Sequence, residues 1–269
     1  MFSARKPIMP VRLSITVDLD YGLPEPADVL LQIAAAALPD QWIETERLDV
    51  WSDLPLAAVP GEEGIGQRCW SHAVGRFTAR YAATVVVDRL VRPLHHLPPT
   101  AVRHLPGAVV GYLMPSRYCP SDKLEGFVRS EFAGLSGGPL AAALAEWTAR
   151  SLRYSSNGST GTTTALDTFA SREGVCRDYA HLLVTLARAA EIPARCVAAY
   201  APDVTPPDFH AVAELWLDGG WHLVDATGMA DPSETARICI GRDATDIAFM
   251  TVFGAAQLIE QRVRVERLG

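Results

Sequence analysis

The chain has 269 residues, of which 49% are apolar and 20% are charged, a balance typical of a globular protein with a buried core. Its formal charge of −7 argues against nucleic acid and anionic membranes as partners, because neither attracts an acidic protein. No stretch approaches the roughly 20 consecutive apolar residues of a membrane span, and no apolar run typical of a secretory signal follows the basic residues in Met1–Pro7. The five cysteines include no CxxC pair, so we expect a cytoplasmic protein without disulfide bonds or a zinc knuckle.

Residues 1–114 have the pattern of a β-rich N-terminal domain. Val11–Asp18 alternates apolar and polar residues with a period of two, which predicts a half-buried strand. Phe77–Val87 and Ala108–Leu113 are further predicted strands. Ala27–Ala37 fits either a helix or a strand followed by a loop, and its composition leaves both open.

Residues 115–269 have the pattern of a second domain, in which helices are followed by strands. The alanines and leucines of Leu140–Arg153 and Asp178–Ala190 favour helix. The predicted strands are Ala194–Ala201, Ala211–Leu217, Trp221–Val224 and Gln257–Leu268, the last of which could pack on either domain. We therefore expect an α+β protein with its chemistry in the second domain.

Cys176 stands where a loop enters the second predicted helix, in the sequence GVCRDY. A cysteine at a helix start lies against backbone N–H groups that have no intrahelical partner and at the positive end of the helix dipole. Both favour the nucleophilic thiolate, and the same N–H groups can hold an oxyanion. Gly174 lets the backbone approach closely in front of the sulfur. The alternative is that Cys176 is a small buried apolar residue, as most free cysteines are.

A predicted hairpin supplies a histidine and an acid further along the chain. Its first strand opens with His210, and its second strand ends in Asp225. Such a histidine can take the thiol proton, and the carboxylate can fix its tautomer and orientation. If Gly219 and Gly220 form the turn, Asp225 lies opposite Glu214, about 13 Å along the strand from His210 at roughly 3.3 Å per residue. A bulge or a bend would then be needed to join the two side chains.

Three segments together resemble the transglutaminase-like superfamily, in the bacterial branch whose members are often assigned as cysteine proteases. They are GVCRDYAHL (174–182), IPARCVAAYAP (192–202) and FHAVAELWLDGGWHLVDAT (209–227). The resemblance extends over about Pro115–Phe253 and is weaker in the N-terminal part. Many members have an aromatic residue soon after the histidine, where this chain has Val212.

The resemblance implies a papain-like core, in which a helix carrying the cysteine packs on an antiparallel β-sheet carrying the histidine and the acid. It implies that Cys176 is the nucleophile, His210 the general base and Asp225 the orienting acid. It also places Tyr200 beside the active site, although a core aromatic with a satisfied hydroxyl is an equal alternative. Arg242 lies in a segment that resembles a loop near the cleft, where an Arg–Asp pair that pins the loop is slightly favoured.

Further polar residues surround these positions in the sequence. Asp178, in the first turn of the helix, is interpreted as a capping residue that complements the helix dipole. Arg177 could oppose the charge of Asp178, bind a substrate carboxylate or remain solvated. Tyr154 and the loop after it could line a substrate groove. The other histidines are interpreted as structural or surface groups: His95, His96, His181 and His222.

The sequence therefore predicts a thiol-dependent acyl-transfer enzyme that hydrolyses peptide or related amide bonds. Transamidation of a protein glutamine or a small amine uses the same three residues and stays open, as does a non-catalytic binding module with the same fold. No metal site, Walker loop or Rossmann fingerprint is evident, so no cofactor or metal is expected. Substrate identity, oligomeric state and pathway do not follow from the sequence.

Overall fold

The computed structural model describes residues 10–269, so the expectation about a signal within Met1–Pro7 lies outside the described residues. The strands are β1 Val11–Leu31, β2 Gln41–Val50, β3 Ala57–Pro60, β4 Gln67–Val87, β5 Arg153–Tyr154, β6 Glu173–Gly174, β7 Ala194–Tyr200, β8 His210–Leu217, β9 Gly220–Val224, β10 Ala236–Gly241, β11 Met250–Phe253 and β12 Gln257–Leu268. The helices are α1 Gly107–Val110, α2 Glu125–Glu131, α3 Gly137–Ser151, α4 Ala165–Ser171, α5 Cys176–Ala189 and α6 Ala244–Ile247. None of these helices is long and apolar enough to span a membrane.

An antiparallel sheet of six strands contains most of the N-terminal part. Its strands follow the order β11-β1-β4-β2, while β12 pairs with β1 and β3 pairs with β4. Alternate residues of β1, among them Leu13, Ile15 and Val17, are buried, which confirms the period-two prediction for this strand. The last strand, β12, pairs with β1 from Arg12 to Gly22. Residues 257–268 therefore pack against the N-terminal part, which is one of the two alternatives considered. The domain boundary after residue 114 stays a prediction.

A second antiparallel sheet, in the order β10-β7-β8-β9, carries the predicted site. Helix α5 packs across β7 and β8. Every residue of β7 is buried. On the face opposite to the helix, a smaller apolar cluster is formed by Val197, Val212, Leu223 and Ile240 with Ile65. The α+β fold with a cysteine-bearing helix on an antiparallel sheet and a β-rich N-terminal region is confirmed.

Ala27–Ala37 is a strand followed by a loop, not a helix. Residues 27–31 complete β1, and the buried loop after it connects the two sheets through hydrogen bonds. The N–H of Gln32 donates to the Phe249 carbonyl at 2.8 Å, and the N–H of Ala36 donates to the Arg237 carbonyl at 2.9 Å. The loop stays buried because its backbone groups find partners in strands distant in sequence, which no local pattern reveals.

The predicted strand over Ala108–Leu113 is wrong. Helix α1 and a following 3-10 turn occupy this segment. Val109 and Tyr112, three residues apart, are buried, whereas Val110 between them is 40% exposed. This is the spacing of a helical turn, and in so short an apolar run it is easily mistaken for a strand.

Candidate active site

Cys176 is the first residue of α5, as the sequence predicts. The chain enters the helix through Val175, whose extended backbone is held by its N–H, which donates to Asp178 Oδ2 at 2.9 Å. A Cβ at Gly174 would lie 2.6 Å from the Cβ of Asp178, so only glycine allows this close packing. Gly174 therefore packs against the side chain that caps the helix. Cys176 is half-buried, and its position at the helix start leaves its N–H without an intrahelical acceptor.

Arg177 and Asp178 fix the loop in front of the helix. Asp178 is fully buried, and its side chain accepts the Val175 N–H in the way expected of a capping residue. Arg177 Nη2 donates to Asp178 Oδ1 at 3.1 Å, to Ser159 Oγ at 2.7 Å and to the Thr160 carbonyl at 2.6 Å. Arg177 thus pairs with Asp178 and opposes its charge, which is one of the three roles considered for it.

His210 and Asp225 are hydrogen-bonded, with 2.9 Å between Nε2 and Oδ2. The two strands pair Leu217 with Gly220 and Ala213 with Val224, so the turn consists of residues 218 and 219 and not of 219 and 220. Both turn residues have the positive φ angles, 51° and 73°, of a two-residue hairpin turn.

This register brings His210 and Asp225 closer together than the sequence analysis predicted. Continued by one residue, it places Asp225 opposite Val212, two residues from His210. Diagonal neighbours of this kind lie within reach of each other's long side chains. The expected bulge or bend is therefore unnecessary, and the error came from assigning the turn one residue too late.

The Asp225 carboxylate is held by an array of donors as well as by His210. Oδ1 accepts the N–H and the hydroxyl of Thr227, both at 2.8 Å. Oδ2 accepts the backbone N–H groups of Met229 at 3.1 Å and Ala230 at 2.8 Å. Burial opposes the charged form, but the hydrogen bonds from His210 and Thr227 outweigh it and lower the pKa of Asp225. Asp225 is thus a fixed anion beside the imidazole.

The pKa of His210 is set by burial and by its two neighbours, Asp225 and Cys176. Burial disfavours its charged form, but hydrogen bonding to Asp225 and interaction with the Cys176 sulfur outweigh burial and raise the pKa of His210 to about 9. The side chain is completely shielded from solvent. Nδ1 finds no hydrogen-bond partner among residues 10–269, while Nε2 is hydrogen-bonded to Asp225. The nitrogen not bound to the carboxylate is therefore free to exchange a proton with Cys176.

Tyr154 also lies beside the cysteine. Strand β5 pairs in parallel with β6, which sets Tyr154 next to Gly174. The ring is tilted against Tyr179, with 6.0 Å between centroids. Its hydroxyl lies beside the backbone N–H and the thiol of Cys176, and burial together with the charge of that sulfur raises the pKa of Tyr154 to about 12. Tyr154 therefore keeps its proton at neutral pH and is a hydrogen-bond donor next to Cys176.

A cavity of about 360 Å³ opens beside Cys176 and His210 and is called the cleft cavity below. Apolar side chains of two segments line it, namely Phe209 in one and Ile247, Phe249 and Met250 in the other. The stretch 247–250 follows Arg242 in the segment that resembles a family loop, but no local sequence pattern distinguishes its apolar residues as cavity-lining. Their approach to Cys176 depends on the long-range pairing of β11 with β1.

Two of the remaining candidates lie away from the cysteine. Tyr200 is fully buried and its hydroxyl donates to the Ile33 carbonyl at 2.6 Å, so it is the core aromatic of the two alternatives considered. It contacts the cavity wall only from behind, with its ring 5.8 Å from that of Phe209. Arg242 is exposed and pairs with Asp246 at 3.0 Å, which corresponds to the loop-pinning role.

A separate buried group has the residue types of a metal site. One ligand atom from each of Cys119, His181 and Cys196 lies within 4.8 Å of the others. However, His181 Nε2 accepts the Ala244 N–H at 3.0 Å, which puts the proton of the neutral ring on Nδ1. Burial lowers the pKa of His181 to about 4, so the ring stays neutral. Neither nitrogen presents a free lone pair, and the group does not fit a metal ion as it stands.

The fold and this arrangement define a class of protein with a half-buried cysteine at a helix start and a histidine–aspartate pair on the adjoining sheet. The model of the transglutaminase-like superfamily matches residues 136–226, a range that contains Cys176, His210 and Asp225. A crystal structure from Cytophaga hutchinsonii, described as that of a "Putative Cysteine Protease", is 31% identical. It superposes with a TM-score of 0.92 over 97% of this chain and 92% of that chain. The chain belongs to the transglutaminase-like superfamily.

Two more distant similarities were found. An uncharacterized protein of Mycobacterium leprae (strain TN) is 30% identical over 115 residues, which are 39% of this chain and 41% of that protein. The chain thus matches less than half of the length of this relative. The periplasmic domain of TgpA from Pseudomonas aeruginosa, in a crystal structure with ethylmercury, is 23% identical. Its TM-score is 0.42 over 80% of this chain and 77% of that chain.

Proposed function

We propose that this protein is a thiol-dependent acyl-transfer enzyme that hydrolyses peptide or related amide bonds. The observation that carries the proposal is the buried His210–Asp225 pair beside the half-buried Cys176. In this proposal Cys176 is the nucleophile, His210 the proton carrier and Asp225 the group that orients the ring. The fixed carboxylate engages Nε2, so Nδ1 is the nitrogen that carries the transferable proton.

The first step is attack of the Cys176 sulfur on the amide carbonyl carbon, which forms a carbon–sulfur bond and moves an electron pair onto the oxygen. The N–H of Cys176, at the start of α5, and the hydroxyl of Tyr154 lie where they can donate to this oxyanion. His210 holds a proton at neutral pH because its pKa is about 9. Transfer of that proton to the amine allows the carbon–nitrogen bond to break and leaves a thioester on Cys176.

The second step releases the acyl group. A water molecule gives a proton to His210 while its oxygen attacks the thioester carbon, and the carbon–sulfur bond breaks to return the sulfur to its initial state. Water reaches this position because Cys176 is half-buried and the rim residues of the cleft cavity are partly exposed. Open access to water favours hydrolysis over transamidation, which needs an amine to outcompete water.

A reducing compartment suits this proposal, because a free thiol is the reactive form of the nucleophile. All five cysteines are free. We therefore keep the cytoplasm as the proposed location.

The test is a peptide library incubated with the protein, with and without added methylamine, and analysed by mass spectrometry. Hydrolysis predicts new carboxyl termini that do not depend on the amine, and Cys176→Ala should abolish them. Cys69→Ala is the matched control, because Cys69 is also half-buried but lies in β4. Products carrying methylamine in place of water would favour the transamidase. The absence of any product dependent on Cys176 would support the non-catalytic binding module.

A further inference from the structure

The inner walls of the cleft cavity are apolar and packed against the core. Phe209 and Phe249 are stacked, with 4.3 Å between ring centroids and 9° between ring planes. Phe209 is backed by Tyr200, whose hydroxyl is tied to the Ile33 carbonyl in the core. Ile247 is buried, and Met250 follows Phe249 at the start of β11. A volume of about 360 Å³ is small for a ligand site and accommodates one large side chain with its adjoining backbone.

The polar groups at the rim of the cavity are already engaged. Gln261 accepts the Tyr21 hydroxyl at 3.1 Å and donates to Asp208 Oδ1 at 2.7 Å, so both ends of its amide are used. The Tyr118 hydroxyl donates to the Gly161 carbonyl at 2.7 Å. Arg177 is committed to Asp178 and the loop at 159–160. A carboxamide that enters the cavity would therefore lose its hydrogen bonds to water and gain few hydrogen bonds from the protein.

Asp208 is the exception, since one of its oxygens remains available at the exposed rim. Its Oδ1 accepts from Gln261 and from the Phe209 N–H at 2.8 Å. Its carboxylate is an acceptor with negative charge, which repels an acidic side chain of a substrate. The positive charge of Arg177, which also lines the cavity, is already opposed by Asp178, so the rim disfavours an anion. An uncharged amide can reach the acceptor of Asp208 only at the exposed edge and not among the apolar walls.

We propose that the cleft cavity binds an apolar or aromatic side chain of the acyl donor, and that it discriminates against glutamine and, more strongly, against glutamate. This inference rests on the proposed function and names its substrate class. A buried amide left without partners weakens binding by about 10- to 100-fold relative to an apolar group of similar shape. The structure therefore favours a peptidase for apolar residues over a glutamine transamidase.

The test measures how N-acetyl-X-methylamides protect Cys176 from iodoacetamide, with X as methionine, leucine, phenylalanine, glutamine or glutamate. Methionine and glutamine have unbranched side chains of similar length, so their comparison isolates polarity. The methionine compound should halve the alkylation rate at a concentration about tenfold lower than the glutamine compound needs. Glutamate should protect least. Equal or better protection by glutamine, or no protection by any compound, overturns the inference.

Two variants connect the selectivity to the cavity. Phe249→Ala should reduce the advantage of methionine and phenylalanine over glutamine, whereas Phe253→Ala should leave it unchanged. Phe253 is the matched control because it lies four residues further along the chain, at the end of β11, is 60% exposed and contacts Trp70 with its ring tilted. If Phe253→Ala has the larger effect, the cavity is not the selective element. Protection reports on binding alone, so it can succeed or fail independently of whether the library screen detects turnover.

Discussion

The two sheets of this protein place their charged residues differently. In the six-stranded sheet, ion pairs such as Arg12–Glu44 at 2.7 Å and Arg47–Asp49 at 2.6 Å lie on the surface, with the arginine side chains 47% and 78% exposed. In the four-stranded sheet, Glu214 is 1% exposed and is bonded to two arginines. His210 and Asp225 are almost as well shielded.

This difference in burial means that the ion pairs of the two sheets have different effects on stability and geometry. Exposed pairs are screened by water and contribute little to stability or geometry. Buried pairs hold side chains in one orientation, and removal of one partner leaves an uncompensated charge. The second sheet therefore contains the buried groups on which the proposed chemistry depends, while the exposed ion pairs of the first sheet contribute little to geometry.

The largest expected effect follows loss of the imidazole. His210→Ala should lower kcat/KM for a substrate from the library screen by about 10³- to 10⁴-fold, since the ring carries both proton transfers. Asp225→Asn should approach this loss, because an amide cannot fix the same tautomer of His210. Thermal unfolding of both variants serves as the control for folding. Retention of more than a tenth of the activity by His210→Ala would contradict the proposed mechanism.

Glu214 provides the sharpest contrast in stability. Glu214→Gln removes the carboxylate that Arg195 and Arg237 each contact at 2.7 Å, and leaves Arg195 paired with the more exposed Glu63 and Arg237 with the more exposed Asp40. It should therefore reduce the free energy of unfolding by about 2–3 kcal/mol, somewhat less than for a buried charge left without any partner. Glu44→Gln, on the exposed partner of Arg12, should change it by less than about 1 kcal/mol. Urea unfolding of the two variants measures both values. Similar losses would show that burial does not distinguish the ion pairs of the two sheets.

Tyr154 tests the proposed oxyanion site. Tyr154→Phe removes one donor beside Cys176 and should reduce kcat by about 10- to 100-fold with little change in KM. Alkylation of Cys176 by iodoacetamide, which forms no oxyanion, should change much less. A parallel fall in the alkylation rate would instead indicate that Tyr154 acts on the sulfur itself.

The raised pKa of His210 predicts the alkaline limit of activity. His210 must be protonated to release the amine, so kcat/KM should fall about tenfold per pH unit above pH 9. The same shift stabilises the fold, fully below about pH 6.5 and progressively less as the pH rises through 9. In Asp225→Asn the alkaline limit should move to lower pH, because the main interaction that raises the pKa is lost. An unchanged alkaline limit in Asp225→Asn would show that Asp225 does not set the pKa of His210.

The smallest effect is expected at Tyr200. Tyr200→Phe removes the hydroxyl bonded to the Ile33 carbonyl and should cost about 1–3 kcal/mol of stability, because the carbonyl stays buried. Activity per folded molecule should not change, since Tyr200 lies behind Phe209. A rise in KM without a change in kcat would instead indicate that Tyr200 contacts the substrate in the cleft.

The sequence predicted the elements that depend on local pattern and motif. Cys176 at a helix start, His210 opening a strand and Asp225 ending the next strand follow from short segments with strong periodicity. The route by which His210 and Asp225 meet did not follow, because a one-residue error in the turn shifts the whole register. Tertiary features could not be predicted from the sequence either. The buried loop after β1 and the cavity wall at Phe249 depend on pairings between strands more than 200 residues apart in the chain.

The most direct test of the central claim compares the alkylation rates of Cys176 and Cys69 with iodoacetamide, resolved by peptide mapping. Both cysteines are half-buried, but only Cys176 lies beside His210, and burial raises the pKa of Cys69. We expect Cys176 to react at least about tenfold faster than Cys69, and His210→Ala to remove most of the difference. Equal rates in the unmodified protein, or a Cys176 rate that does not respond to His210→Ala, would show that His210 does not activate this thiol.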